Sequence, residues 1–395
     1  MSSVREIRKG VFELRAEQGY DAMGNRIRKF RTVQAKNKTV AKKMLSAFET
    51  ELTNGRYSDD ERMPFVQYAE KWKENYGQTD LEPSTYETYL YILDSSIIPF
   101  FNKKRIGDIK TIHIVEYFNH ERKLDPGQYA LERRHRIIRS LFRKAKEWGI
   151  ISDNPAMAVK KPRIVPREKE VYNENEITQV LELVNELPVY HQLIIKLALI
   201  GGLRRGEILA LDIDDDIDYE NNEIRIRHSL QYSNQKGKRL KSTKTWTNRV
   251  VTLPSLLMDE LKQYSVQREE ERRIFGDKWV GCNDDNGNKY FLLFGHPDGR
   301  PYFPKTITKM WNDFLNRHPN IKKISFHDLR HTSATYLLSN GVNIKVIQKR
   351  LGHKDIKTTL NIYAHVTEKD QDLPAEIFES IIKSDEKTDE NDDKK

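Results

Sequence analysis

The 395-residue chain contains one cysteine, Cys282. It can therefore close no intrachain disulfide and build no cysteine-rich zinc cluster, which predicts a reducing, cytoplasmic setting. Long apolar runs are also missing. The most apolar stretch, residues 193–203, spans 11 residues and includes Lys196, against the roughly 20 that a spanning helix needs. The opening residues hold no apolar core of signal-peptide length, so no membrane partner is expected. No GxxxxGK(S/T) phosphate loop and no convincing metal cage occur, so neither nucleotide, metal nor other cofactor is expected. No long internal repeat is present. Residues 384–395, with six acids and three lysines, read as a disordered acidic tail. What is present, 37% hydrophobic and 10% aromatic residues, suffices for cores at this length and excludes a wholly disordered chain.

The net charge of +9 is uneven. Residues 1–57 carry +7, residues 62–166 carry +6 and residues 167–395 carry −1, with the acidic Asp59-Asp60-Glu61 between the first two blocks. A polyanion would meet the first 166 residues first, and nucleic acid is the obvious candidate.

The first block reads as a small sheet followed by a helix. Residues 11–15 and 26–33 are strand-like, the latter carrying Arg26 and Arg28. Thr39 can cap a helix with Val40, Met44, Ala47, Phe48 and Leu52 as its apolar positions. The second block is helical. Phe65, Tyr68, Ala69 and Trp72 share one helix face; Pro83 opens a second helix; a third covers 112–121. A fourth, over 129–148, turns Ile137, Ile138, Leu141, Phe142, Ala145 and Trp148 inward, and displays Arg133, Arg134, Arg136, Arg139, Arg143, Lys144 and Lys146. Seven basic residues against two acidic suit a helix lying along a DNA groove or backbone. Lys160-Lys161-Pro162-Arg163-Ile164-Val165-Pro166-Arg167 is linker-like and suited to tracking phosphates. The third block predicts helices over 176–187 and 192–200, another from about Leu203, a strand region at 223–227 and 249–253, and helices over 255–271, 305–317, 325–339 and 344–351. Short helices near 356–364 and 375–383 follow. The fold class is α+β and multidomain.

Four stretches carry chemistry. In His327-Asp328-Leu329-Arg330-His331, helical spacing turns His327 and Arg330 the same way, a fork for a phosphate or carboxylate oxygen. A rival reading uses His327 and His331 as metal ligands, but the motif lacks the zinc-protease glutamate and a third ligand. Gly201-Gly202-Leu203-Arg204-Arg205-Gly206-Glu207 places arginines at a helix start behind two glycines, and Glu207 lies one turn from Arg204. Leu351-Gly352-His353 puts a histidine past a glycine helix stop. Tyr363, in Thr359-Leu360-Asn361-Ile362-Tyr363-Ala364-His365, follows ten residues later.

In this order and spacing, GGLRRGEILAL (201–211), HDLRHTSATYLL (327–338), LGH (351–353) and TTLNIYAHV (358–366) resemble the catalytic domain of the tyrosine recombinases, the phage-integrase family. The layout of the first two blocks is similar to integrases of bacterial phages and conjugative transposons. The resemblance implies five parts. They are an arm-type DNA-binding domain (1–57), a helical, SAM-like core-binding domain (62–160), a linker (161–170), a mainly α catalytic domain with a small β-sheet (171–383) and the tail. It implies that Arg204 and Arg330 clamp the scissile phosphate, that His327 and His353 complete the pocket, and that Tyr363 is the nucleophile. The family's lysine is assigned to Lys244, with Lys241 as the competitor. Arg205 is not separable from Arg204 by physics; the family pattern selects Arg204. The reaction implied is site-specific integration or excision of a phage or mobile element through a 3′-phosphotyrosine. The partners implied are double-stranded DNA bearing core and arm attachment sites, three further copies in a tetramer, and accessory DNA-bending or excision proteins. DNA contacts are expected from Arg26, Arg28, Arg133, Arg136, Arg139, Arg143, Lys160, Lys161 and Arg163. Two other readings stand beside it: a type IB topoisomerase, which shares the covalent chemistry, and a non-enzymatic regulator reading Ser339-Asn340-Gly341 as a helix-turn-helix corner.

Overall fold

The computed structural model describes residues 2–20, 26–53, 59–165, 169–242, 249–353 and 355. The chain divides into two compact units, residues 1–166 and 167–395.

The first unit opens with three antiparallel strands, β1 (Ser3–Arg8), β2 (Val11–Tyr20) and β3 (Arg26–Gln34), in the order β1-β2-β3. The β1 strand is additional to the sequence expectation; its Ser-Val-Arg-Glu-Ile-Arg has little apolar content to announce it. Alternation in β2 sends Phe12, Leu14 and Ala16 to one face. Helix α1 (Lys38–Thr53) covers that face with Ala41, Leu45, Phe48 and Leu52. Val40, Met44 and Ala47 point outward, contrary to the expected stripe. Two apolar stripes one residue apart share Phe48 and Leu52, and the one containing the small Ala41 closes on the sheet. The Asn37 side chain, not Thr39, accepts from the Val40 N–H at 3.0 Å.

Helices follow among the described residues of this unit: α2 (Phe65–Trp72), α3 (Gln78–Asp80), α4 (Pro83–Ile92), α5 (Ile98–Phe101), α6 (Thr111–Lys123) and α7 (Gln128–Glu147). Wide π turns at Lys73–Gly77 and Leu93–Ile97 interrupt the first two runs. Lys73 joins them, its Nζ 2.7 Å from Asp94 and 2.8 Å from Glu70. Phe65, Tyr68, Trp72, Ile137, Ile138, Leu141, Phe142 and Ala145 form the core. Trp148 does not join them. Helix α7 ends at Glu147, Gly149 turns the chain at φ +70°, and Ile150 and Ile151 fill the core instead.

In the second unit, Asn173 caps α8 (Glu174–Val184), accepting from Glu176 N–H at 2.9 Å. Helix α9 (Val189–Leu199) is buried along nearly its whole girth and forms the centre of the core. After Gly201-Gly202 comes one turn, α10 (Arg205–Ile208), so the helix expected from Leu203 is a cap and four residues. Strands β4 (Ile217–Asp218), β5 (Glu223–Ile226) and β8 (Arg249–Thr252) make an antiparallel sheet, and β6 (His228–Ser233) and β7 (Gly237–Ser242) a hairpin. The hairpin exceeds the sequence expectation, which placed strands only at 223–227 and 249–253. A ribbon of β9 (Cys282–Asn283) and β10 (Lys289–Tyr290) lies beyond α11 (Ser255–Phe275). Cys282 is buried, which pushes its thiol up to about 11. Helices α12 (Pro304–Arg317), α13 (Phe326–Ser339) and α14 (Ile344–Leu351) are the last among the described residues of this unit. Trp311 donates its indole N–H to the Ile324 carbonyl at 2.8 Å, fixing α12 beside the start of α13. The segments near 356–364 and 375–383 and the tail lie outside the described residues.

Candidate active site

Three chain segments far apart in sequence meet around one carboxylate. Arg204 caps α10, and one turn later Glu207 turns back to it. The Arg204 N–H donates to Glu207 Oε2 at 2.8 Å and Arg204 Nη1 to Oε1 at 2.7 Å. This bond holds the arginine side chain as the sequence spacing predicts, and leaves it 39% exposed while Glu207 is 2% exposed. From β8, Arg249 forks onto the same carboxylate, Nη1 to Oε1 at 3.0 Å and Nη2 to Oε2 at 2.6 Å. From α13, Arg330 brings a third guanidinium to 3.9 Å from Oε2. One negative charge thus lies among three positive ones.

Local backbone explains how Arg330 is held. Its Nη1 donates to the Gly202 carbonyl at 2.6 Å and its Nη2 to the Leu351 carbonyl. Gly202 takes φ +66°, and a Cβ there would sit 2.7 Å from Leu351 Cδ2, so only glycine allows this approach. Gly352 ends α14 in the left-handed conformation at φ +65°. The next residue, His353, stands beside Arg330 and Arg204 electrostatically.

Burial and neighbouring cations set the protonation states. Burial alone would raise Glu207, but the Arg249 hydrogen bonds and the Arg249 and Arg204 charges hold it at about 2. Burial and then the Arg204 charge bring Arg330 down to about 9, against the pull of Glu207. Burial, then Arg330 and Arg204, push His353 down to about 4. His327 is lowered by burial and by Lys169 and Arg330. Near neutrality the two imidazoles are uncharged and the guanidiniums charged: a surface that attracts an anion and offers neutral proton acceptors. His331, also brought to about 4 by burial and Lys169, accepts from Lys169 and meets the His327 ring edge-on at 5.0 Å. Among the described residues, no group of three His, Cys, Asp or Glu gathers as a metal site.

A cavity of about 460 Å³ opens beside these groups, lined by Arg204, Arg205, Gly206, Ser229, Leu230, Thr308, Ser325, Phe326 and His327. Arg205 turns away from Glu207 and hydrogen-bonds Thr308 on α12. Neighbours that sequence physics could not separate therefore have different partners.

The structure brings together Arg204, Glu207, His327, Arg330 and His353. Lys244 and Tyr363 lie outside the described residues. The competitor Lys241 is half-buried on β7, paired in register with Ser229. Arg249 is the residue sequence reasoning missed. Its only signal was an arginine at a strand start with no charged partner nearby in sequence.

In the first unit, most basic residues expected to touch DNA have acidic neighbours. Arg26 and Arg28 lie 4.0 and 3.9 Å from Glu17. Arg136 is bidentate to Glu132 at 2.9 Å, and Lys161 reaches Glu132 at 3.1 Å. Arg143 is 3.7 Å from Glu147. Arg134 is drawn inward to Glu121 at 2.7 Å. Arg133, Arg139, Lys160 and Arg163 are exposed.

The small sheet, the helical frame and the arginine-histidine cluster together define a tyrosine-recombinase catalytic domain. Residues 170–370 match the phage integrase family, and residues 64–121 match the N-terminal SAM-like domain of phage integrases. The chain belongs to the phage integrase family. A XerC-like tyrosine recombinase of Caldanaerobacter subterraneus subsp. tengcongensis is 26% identical over 394 residues, covering 95% of this chain and 97% of that protein. The ICEBs1 integrase of Bacillus subtilis is 23% identical over 389 residues, covering 96% and 100%. The fold is similar to that of the Tn1549 transposon integrase in complex with transposon right end DNA (TM-score 0.63, 20% identity, 79% of this chain and 100% of that one). A lambda integrase tetramer bound to a Holliday junction aligns at TM-score 0.53 and 15% identity over 91% of this chain and 94% of that one.

Proposed function

We propose that this integrase cuts and rejoins DNA at specific sites through a 3′-phosphotyrosine on Tyr363, with no metal or nucleotide, to integrate or excise a phage or mobile element. The observation that carries the proposal is the excess of guanidinium charge around Glu207, beside two neutral imidazoles. A phosphodiester repels nucleophiles because it is anionic. Arg204 and Arg330 offset that charge and stabilise the further charge of the pentacoordinate transition state. The Tyr363 oxygen bonds to phosphorus as the bond to the 5′-oxygen breaks. His327 helps remove the phenol proton, whose ordinary pKa is about 10, and Lys244 protonates the departing 5′-oxygen. His353 completes the pocket. A 5′-hydroxyl of the partner strand reverses the steps, so bond energy is conserved and no ATP is consumed.

Residues 1–57 serve arm sites and residues 62–160 the core site, with Arg133, Arg139, Lys160 and Arg163 as the best placed cations. Four strands are exchanged, so four protomers act on two DNA sites. The lambda integrase tetramer on a Holliday junction supports that count. Accessory bending or excision proteins and a cytoplasmic place on host DNA complete the reading.

The test uses a nicked attachment site that traps the covalent intermediate. The intact protein forms a protein–DNA adduct and Tyr363→Phe forms none. No adduct with the intact protein, or an equal one with the variant, overturns the proposal. Plasmid relaxation without exchange between matched sites would favour the topoisomerase instead.

A further inference from the structure

Arg249 has no role in the chemistry above, yet all three of its guanidinium nitrogens are engaged. It is 9% exposed at the start of β8. Its Nη1 and Nη2 take both oxygens of Glu207, at 3.0 and 2.6 Å. Its Nε donates to the Arg350 carbonyl at 2.9 Å. That carbonyl and the next, Leu351, are the last two of α14; Arg249 holds the first and Arg330 the second. The chain then turns at Gly352, where a Cβ would come within 3.0 Å of Arg249 Cδ and Nη1. Beyond the turn stands His353. Through Glu207, the same guanidinium reaches the side chain and backbone N–H of Arg204.

We propose that Arg249 is a positioning residue for strand cleavage. Forked onto Glu207 and hooked to the end of α14, it holds Arg204 and the His353 turn in one frame around the scissile phosphate. The planar fork is what the role requires. A lysine keeps the charge but has one nitrogen, which cannot meet two carboxylate oxygens and a carbonyl in three directions. With Glu207 only partly satisfied, Arg204 swings toward its carboxylate and away from the phosphate. DNA affinity, spread over many distant phosphate contacts, is unaffected. The inference rests on the phosphotyrosine reading.

The experiment compares the intact full-length protein with Arg249→Lys and Arg249→Gln in single-turnover cleavage of the nicked attachment site. Each is run on a normal scissile phosphate and on a methylphosphonate, which lacks the negative charge that the guanidiniums serve. Binding and thermal melting are measured alongside. Arg249→Lys should bind within about twofold, stay folded, and cleave the phosphate at least 10-fold more slowly; Arg249→Gln should be slower still. On the methylphosphonate the Arg249→Lys deficit should shrink to less than threefold, because guanidinium aim no longer matters. A merely structural loss would lower both substrates equally. Cleavage within threefold of the intact protein on the phosphate overturns the proposal, as does an equal deficit on both substrates. Loss of the folded baseline in both variants makes Arg249 a fold determinant and overturns it too. Absence of any adduct with the intact protein would instead sink the phosphotyrosine reading.

Discussion

At the scale of single residues, Arg204 and Arg205 show how neighbours diverge. Both are arginines at the mouth of one cavity, but Arg204 is braced by Glu207 while Arg205 is tied to Thr308. Only the first shares a carboxylate with Arg249 and Arg330. Arg204→Ala should lower single-turnover cleavage by roughly 100-fold or more, the scale of losing one preorganised donor to transition-state charge. Arg205→Ala should lower it by less than about 10-fold in the same assay. Equal losses would mean that Arg205 also reaches the phosphate. Three guanidiniums around Glu207, an acid held at about 2, keep that carboxylate ionised near neutrality.

At the scale of elements, the site depends on turns more than on helices. Gly202 lets Arg330 reach a carbonyl, and Gly352 releases the chain from α14 toward His353. Gly202→Ala forces a left-handed φ on an alanine and a contact of 2.7 Å with Leu351. It should destabilise the chain by about 1–3 kcal/mol in denaturant unfolding, with cleavage falling alongside. A neutral effect would show that the turn can rearrange. Elements with strong periodicity were legible in the sequence. Examples are the Phe65–Trp72 helix and the stop of α14 at Gly352. Less legible were β1, whose charged sequence lacks alternation, and the inward face of α1, where two apolar stripes compete. The β6-β7 hairpin escaped because a basic second strand carries little apolar signal. The arginine-histidine set was readable only as an ordered pattern, since each member alone has a plain surface explanation. Arg249 escaped because its meaning depends on a pairing across 42 positions, which no local pattern encodes.

At the scale of the whole molecule, burial of neutral histidines couples fold to pH. His331 and His353 are held at about 4, against about 6.5 in the unfolded chain. Between these values the unfolded chain binds more protons, so acid favours unfolding. Stability from these groups is fully present above about pH 6.5 and is lost as pH falls toward 4. Glu207 acts in the same direction further down, from its ordinary range to about 2. The melting temperature of the full chain should therefore fall steadily from pH 7 to pH 4, with a shallower slope in His331→Gln. A flat profile would mean that the imidazoles are solvated. Charge acts at this scale too: the first 166 residues hold the positive excess, although many of their arginines lie against acids. The opposing carboxylates make the DNA-facing charge smaller than the residue count, so the salt dependence of binding should reflect fewer released ions than the basic residues number.

The buried Cys282 has a practical corollary. Its thiol is shielded and kept protonated, so maleimide reagents find nothing reactive on the native chain. A cysteine introduced on an exposed face of either unit becomes a unique attachment point for a fluorophore. Whether chains assemble on DNA can then be tested by energy transfer between dyes without first removing a natural thiol.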